Sequence, residues 1–115
     1  MGHYNKTILE SVSCTSDHEV SIESVEDYTN FTIQIKVTGL TGGTASTILD
    51  ILTAEAAADI AEYNTITGTA ITFGATFTGS GVIRVVDLTT KNCKIKYSAG
   101  GATGGTIDYV TVTFS

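Results

Sequence analysis

The stretch Asn30-Phe31-Thr32-Ile33-Gln34-Ile35-Lys36-Val37-Thr38-Gly39 decides the reading of this chain. Apolar side chains at 31, 33, 35 and 37 alternate with polar ones at 32, 34, 36 and 38. Successive side chains of a strand point to opposite faces, so a period of two sets one apolar row against a core and one polar row in water. The same period recurs at Ile71, Phe73, Ala75 and Phe77, and at Cys93, Ile95, Tyr97 and Ala99 with Lys94, Lys96 and Ser98 outward. It closes the chain with Val110, Val112 and Phe114 on one face and Tyr109, Thr111 and Thr113 on the other.

Working outward, Thr7–Cys14 reads as a strand with Ile8, Val12 and Cys14 on one side. Glu19–Val25 places Val20 and Ile22 inward, and Val25 falls out of phase, which marks a bulge or a strand end. Thr47–Thr53 and Val82–Leu88 carry apolar residues on both faces, so each is covered on both sides or meets a neighbour with its outer face. Turn residues separate the runs at Gly39–Gly43, Gly79-Ser80-Gly81, Thr89–Asn92 and Gly100–Gly105. Residues 54–61 are rich in Ala, with no β-branched residue before Ile60, and read as a helical turn or ordered loop before a strand near Tyr63–Ile66.

Composition agrees. Apolar residues make up 42% and charged ones 16%, Pro and Trp are absent, and Gly occurs 12 times among abundant Thr, Ile and Val. β-branched residues suit pleated strands, and glycine supplies the turns. Eight or nine short strands with turn signals every ten residues or so predict an all-β fold, a single-domain antiparallel β-sandwich or barrel. The domain is expected to span residues 7–115, with 1–6 as an N-terminal arm.

Charge narrows the function. Twelve acids against six bases is a poor footprint for nucleic acid, which needs clustered Lys and Arg. No apolar stretch approaches the length of a membrane helix, and residues 1–6 lack a signal-peptide core, so cytoplasmic synthesis is the expectation. Cys14 and Cys93 read as free thiols acting as small hydrophobes. No cofactor is expected. The histidines, His3 and His18, stand beside no nucleophile motif, and the glycines at 100–105 lack the Lys of a phosphate loop, so an enzyme is not expected. Asp17, Glu19, Glu26 and Asp27 could gather calcium, but not at the spacing of a helix-loop-helix calcium loop.

The acids and bases separate along the chain. Residues 17–62 hold nine acids, Asp17, Glu19, Glu23, Glu26, Asp27, Asp50, Glu55, Asp59 and Glu62, and one base, Lys36, while residues 84–96 hold four bases, Arg84, Lys91, Lys94 and Lys96, and one acid, Asp87. These sets either pair within the fold or form poles that dock a neighbour. The candidate interface is Asp17, Glu19, Glu23, Glu26, Asp27, Arg84, Lys91, Lys94 and Lys96.

Val37-Thr38-Gly39, Thr47-Ile48-Leu49-Asp50-Ile51-Leu52, Val82-Ile83-Arg84-Val85, Cys93-Lys94-Ile95-Lys96-Tyr97 and Val110-Thr111-Val112-Thr113-Phe114 together resemble the small β-sandwich virion proteins of tailed bacteriophages, among them capsid decoration or cement proteins. The resemblance covers roughly residues 31–115. It implies a jelly-roll-like β-sandwich, with an Ig-like sandwich as the alternative, and a non-enzymatic virion protein that binds capsid or other virion subunits as a dimer or trimer, with residues 1–6 reaching a neighbour. A phage tail or head–tail joining component, and a carbohydrate- or receptor-binding β-sandwich module, are the alternatives. A small jelly-roll hydrolase or isomerase is a further class, for which metal-binding histidines are lacking.

Overall fold

Consecutive strands of this chain seldom pair with each other. The computed structural model describes residues 3–54, 64–65 and 70–115. Among them are nine strands: β1 (Tyr4–Ser13), β2 (His18–Ile22), β3 (Phe31–Thr41), β4 (Ile48–Ala54), β5 (Asn64–Thr65), β6 (Ile71–Thr72), β7 (Phe77–Val85), β8 (Asn92–Ser98) and β9 (Gly104–Phe114). One sheet has the order β1-β9-β3-β7, the other β2-β8-β4-β5 with β6 also on β4. All pairings are antiparallel. The pairs β1·β9, β2·β8, β3·β7 and β4·β5/β6 are those of one long hairpin folded over itself, with its strands shared between two sheets. That is the jelly-roll arrangement, and the all-β antiparallel sandwich that the sequence predicts.

The alternating runs find their core. Phe31, Ile33, Ile35 and Val37 of β3 face Ile95 and Tyr97 of β8 and Leu49 and Ile51 of β4 across the sandwich, all buried. Val110, Val112 and Phe114 complete the layer from β9. Phe114 lies 4.7 Å from Phe31, edge-on, and 5.2 Å from Tyr4, stacked. Cys14 and Cys93 are buried, free thiols. Val25 is buried just beyond the end of β2, where Ser24 adopts φ 59°, so the phase slip marks a strand end.

Three sequence expectations change. Gly79-Ser80-Gly81 is not a turn: β7 runs through it from Phe77 to Val85. Glycine in a strand often marks close approach, and a Cβ on Gly81 would lie 2.9 Å from Ile71 Cδ1. The expected strand 71–77 is interrupted after Thr72, and Gly74, at φ 75°, turns the chain before β7 begins. Residues 4–6, set within the expected arm, are strand: Tyr4, Asn5 and Lys6 pair with Phe114, Thr113 and Val112. The helical turn expected over 54–61 falls largely outside the described residues.

The β3–β4 turn rests on one buried hydroxyl. Thr47 Oγ1 donates to Ala99 O at 2.8 Å and accepts from Thr44 N at 2.9 Å. Thr47→Val keeps the shape and removes both bonds, leaving Thr44 N without this acceptor while Ala99 O keeps Ala102 N at 3.0 Å. It is expected to lower unfolding free energy by about 1–3 kcal/mol in urea titration, whereas Ser46→Ala, at an exposed neighbour, stays near wild type.

Candidate recognition face

The register of the four-stranded sheet assembles its outward side chains into rows. Asn5, Thr113, Thr32 and Arg84 form the first row, each opposite the next. Thr7, Thr111, Gln34 and Val82 form the second, and Glu10, Tyr109, Lys36 and Ser80 the third. Side chains opposite one another stand about 4.5–5.5 Å apart at Cβ. With strand spacing near 4.8 Å and rows about 6.7 Å apart, the three rows cover an area on the order of 14 by 13 Å.

Two irregularities make the rows possible. Between Thr7 and Leu9 the register of β1 shifts by one residue, which turns Leu9 inward opposite Val110 and brings Glu10 out beside Tyr109. On β9 the register shifts against β3 between Tyr109 and Ile107. The residue between them, Asp108, accepts a hydrogen bond from Thr38 Oγ1 at 2.6 Å.

The face is open and polar. Asn5, Thr7, Glu10, Gln34, Lys36, Ser80, Val82, Arg84 and Thr113 are exposed, and Thr32, Tyr109 and Thr111 are half-buried. It carries Lys36 and Arg84 against Glu10, in a chain of net charge −6. Tyr109 is its only aromatic side chain, placed between an acid and a base in the third row. Among the described residues no pocket is enclosed.

The opposite outer face, on the five-stranded sheet, is less accessible. Glu19 and Ser21 of β2, Lys94 and Lys96 of β8, and Ile48, Asp50 and Leu52 of β4 share it by register. Lys94 is only 3% exposed and Asp50 is buried, although both point away from the core. The sequence reading puts Lys94 outward; it is outward, yet covered.

The nine candidate interface residues do not gather. Glu19 and Lys94 form an ion pair at 3.9 Å, and Lys96 stands opposite Glu19 and Asp50. Arg84 lies on the other sheet. Asp17 Oδ1 accepts from Ala99 N at 2.8 Å and so anchors the β1–β2 turn to the end of β8. Glu23, Glu26 and Asp27 are exposed in the β2–β3 connection, and exposed Lys91 offers its backbone carbonyl to Val25 N at 2.8 Å. Among the described residues no three His, Cys, Asp or Glu side chains are grouped to hold a metal.

Burial governs the titration of the core groups. It pushes the Cys93 thiol up to about 12. It also raises Cys14 and Tyr97, whose hydroxyl donates to Cys14 O at 2.8 Å.

Solved structures share this fold at low identity. A cleaved adhesin domain of Lys-gingipain matches with a TM-score of 0.55 and 8% identity over 86% of this chain, which spans 63% of that one. A family 29 carbohydrate-binding module from Piromyces equi matches with 0.54 and 8% over the whole chain and 93% of that module. The CBM36-1 domain of a multidomain xylanase from the hindgut metagenome of Trinervitermes trinervoides matches with 0.52 and 11%, covering 96% of each. No curated protein matches. None of these neighbours is a tailed-phage virion protein, so the virion resemblance gains no support from them. A family model described as "Putative auto-transporter adhesin, head GIN domain" (DUF2807) matches residues 4–107, nearly the whole sandwich, and the chain belongs to that family.

Proposed function

We propose that this chain is a non-catalytic recognition module that holds a carbohydrate or a carbohydrate-bearing receptor outside the cell, on the outer face of its four-stranded sheet. The observation that carries the reading is the open array of three rows around Tyr109. Rows of Thr, Gln, Asn and Ser offer hydroxyl and amide partners at fixed spacing. The Tyr109 ring offers an apolar surface for the C–H face of a sugar, with Glu10 and Lys36 on either side to orient its hydroxyls. The adhesin family supports recognition as the task, and two of the fold neighbours are carbohydrate-binding modules by name.

A glycan array followed by titration calorimetry on its best ligand tests this. Tyr109→Ala is expected to weaken binding about ten- to thirtyfold, the effect of losing a central aromatic anchor. Thr72→Ala, exposed on β6 of the other sheet, is expected to leave affinity unchanged. Equal affinity of Tyr109→Ala and wild type would move the site off this face.

A further inference from the structure

We infer that β7 is an interaction edge and that it pairs with β7 of a second copy of this chain, joining two four-stranded sheets into one of eight. This rests on how differently the free edges are built and is independent of the glycan reading.

An unpaired strand edge presents free N–H and C=O groups and invites pairing, so proteins blunt edges that must stay single. The β1 edge is blunted three times. Lys6 stands opposite Val112 on the core side of an edge strand, the register shifts after Thr7, and Ser11 breaks the extended backbone with φ 52°. On the other sheet, β2 has five residues and carries Glu19, and β5 and β6 have two each. The β7 edge is less protected: its register shift lies at its start, between Phe77 and Gly79, where Gly79 has φ 151°, and its one charge, Arg84, points outward. Its residues 79–85 run in unbroken register against β3, with no charge turned inward and no proline. Among the described residues no strand takes its other side.

Exposed apolar surface collects at the same place. Val82, 50% exposed, and Val86, 60% exposed, are the exposed large hydrophobic residues of the described chain, one on β7 and one just past its end. The strand is also self-complementary. With a two-fold axis at Val82, Val82 faces its own copy and Arg84 faces Ser80. Val82 then meets an apolar partner, and no like charges oppose. An isologous contact needs such a patch. Opposite residues of an antiparallel pair share a face, so the two recognition faces would lie side by side and could bind one ligand twice.

The register makes the test direct. Directly opposite Cα atoms stand about 4.5–5.5 Å apart, within reach of a disulfide, and the native cysteines are buried. Under mild oxidation Val82→Cys is expected to give a disulfide-linked dimer on non-reducing gels, as is an equimolar mixture of Ser80→Cys and Arg84→Cys. Thr7→Cys, exposed on the β1 edge, is expected to stay monomeric. Light scattering after size exclusion should give twice the chain mass for wild type, and Val82→Lys should weaken the dimer at least about tenfold by opposing two charges. A wild-type monomer at the highest soluble concentration overturns the inference. Crosslinking no faster at Val82 than at Thr7 also overturns it. Loss of glycan binding with the dimer intact would count against the recognition face alone.

Discussion

Raising the pH from about 9 to about 12 is expected to destabilise the fold by about 4 kcal/mol through Cys93 alone, before Cys14 and Tyr97 add to the loss. Burial lifts the Cys93 thiol from an ordinary 9.0 to about 12, because an apolar sandwich disfavours the thiolate. In the unfolded chain the same thiol ionises near its ordinary value. Between the two values the folded state holds a proton that the unfolded state has released. Unfolding free energy therefore falls as pH rises. The contribution is complete below pH 9 and gone above pH 12, at about 1.4 kcal/mol for each unit of displacement. Tyr97 moves in the same direction, also by burial, as does Cys14. Against a total stability of about 5–15 kcal/mol, a loss of about 4 kcal/mol is a large share.

Urea titrations at pH 8 and pH 12 on wild type and Cys93→Ala separate this from general alkaline effects. The variant loses a little at pH 8, where a small buried side chain has been trimmed. Its further loss to pH 12 is expected to be smaller than wild type's by about 4 kcal/mol. Parallel losses would show that the thiol ionises in the folded state at its ordinary pH. A thiol reagent gives an independent readout at neutral pH. Both cysteines should react only as fast as the chain opens, since thiolate and access are withheld together.

The core was legible because half-buried strands imprint a period of two. Phe31 to Val37, Cys93 to Tyr97 and Val110 to Phe114 all point where their alternation says, and all are buried. Gly79 and Gly81 misled because a glycine serving a turn and one serving a close approach look the same locally; the deciding neighbour, Ile71, comes from another strand. Lys94 shows that outward in a strand is not the same as exposed. The recognition face could not be read, though Tyr109, Thr111 and Thr113 were correctly turned away from the core. Its rows join β1, β9, β3 and β7, and no two of these are consecutive in the chain. The same weaving scattered the charge clusters. Alternation between sheets put Arg84 on one outer face and Lys94 and Lys96 on the other, so a basic run in sequence is not a basic pole in space.

Gly105→Ala is expected to cost about 2–6 kcal/mol, several times the cost of Gly39→Ala, although both replace a glycine of positive φ by the smallest side chain. Gly39 has φ 69° and nothing within 4 Å of where a Cβ would stand. Alanine there meets only the left-handed backbone penalty, about 1–2 kcal/mol. Gly105 has φ 113°, and a Cβ would lie 2.6 Å from Leu40 Cα and 2.8 Å from Leu40 N. Those are backbone atoms of the adjacent central strand, next to a buried side chain, and cannot swing aside as a side chain would. The strain of the φ value, about 1–3 kcal/mol, is then joined by about 1–3 kcal/mol for prising β9 from β3. The Gly105 carbonyl also accepts from Cys14 N at 3.0 Å, so a shift of β9 carries to β1. Urea denaturation of the two variants side by side measures the difference. Equal losses would mean that only backbone strain is felt and that β3 yields. A larger loss at Gly105 places a close backbone contact between β9 and β3 at the register shift between Thr106 and Gly104, the second of the two shifts that set β9 against β3.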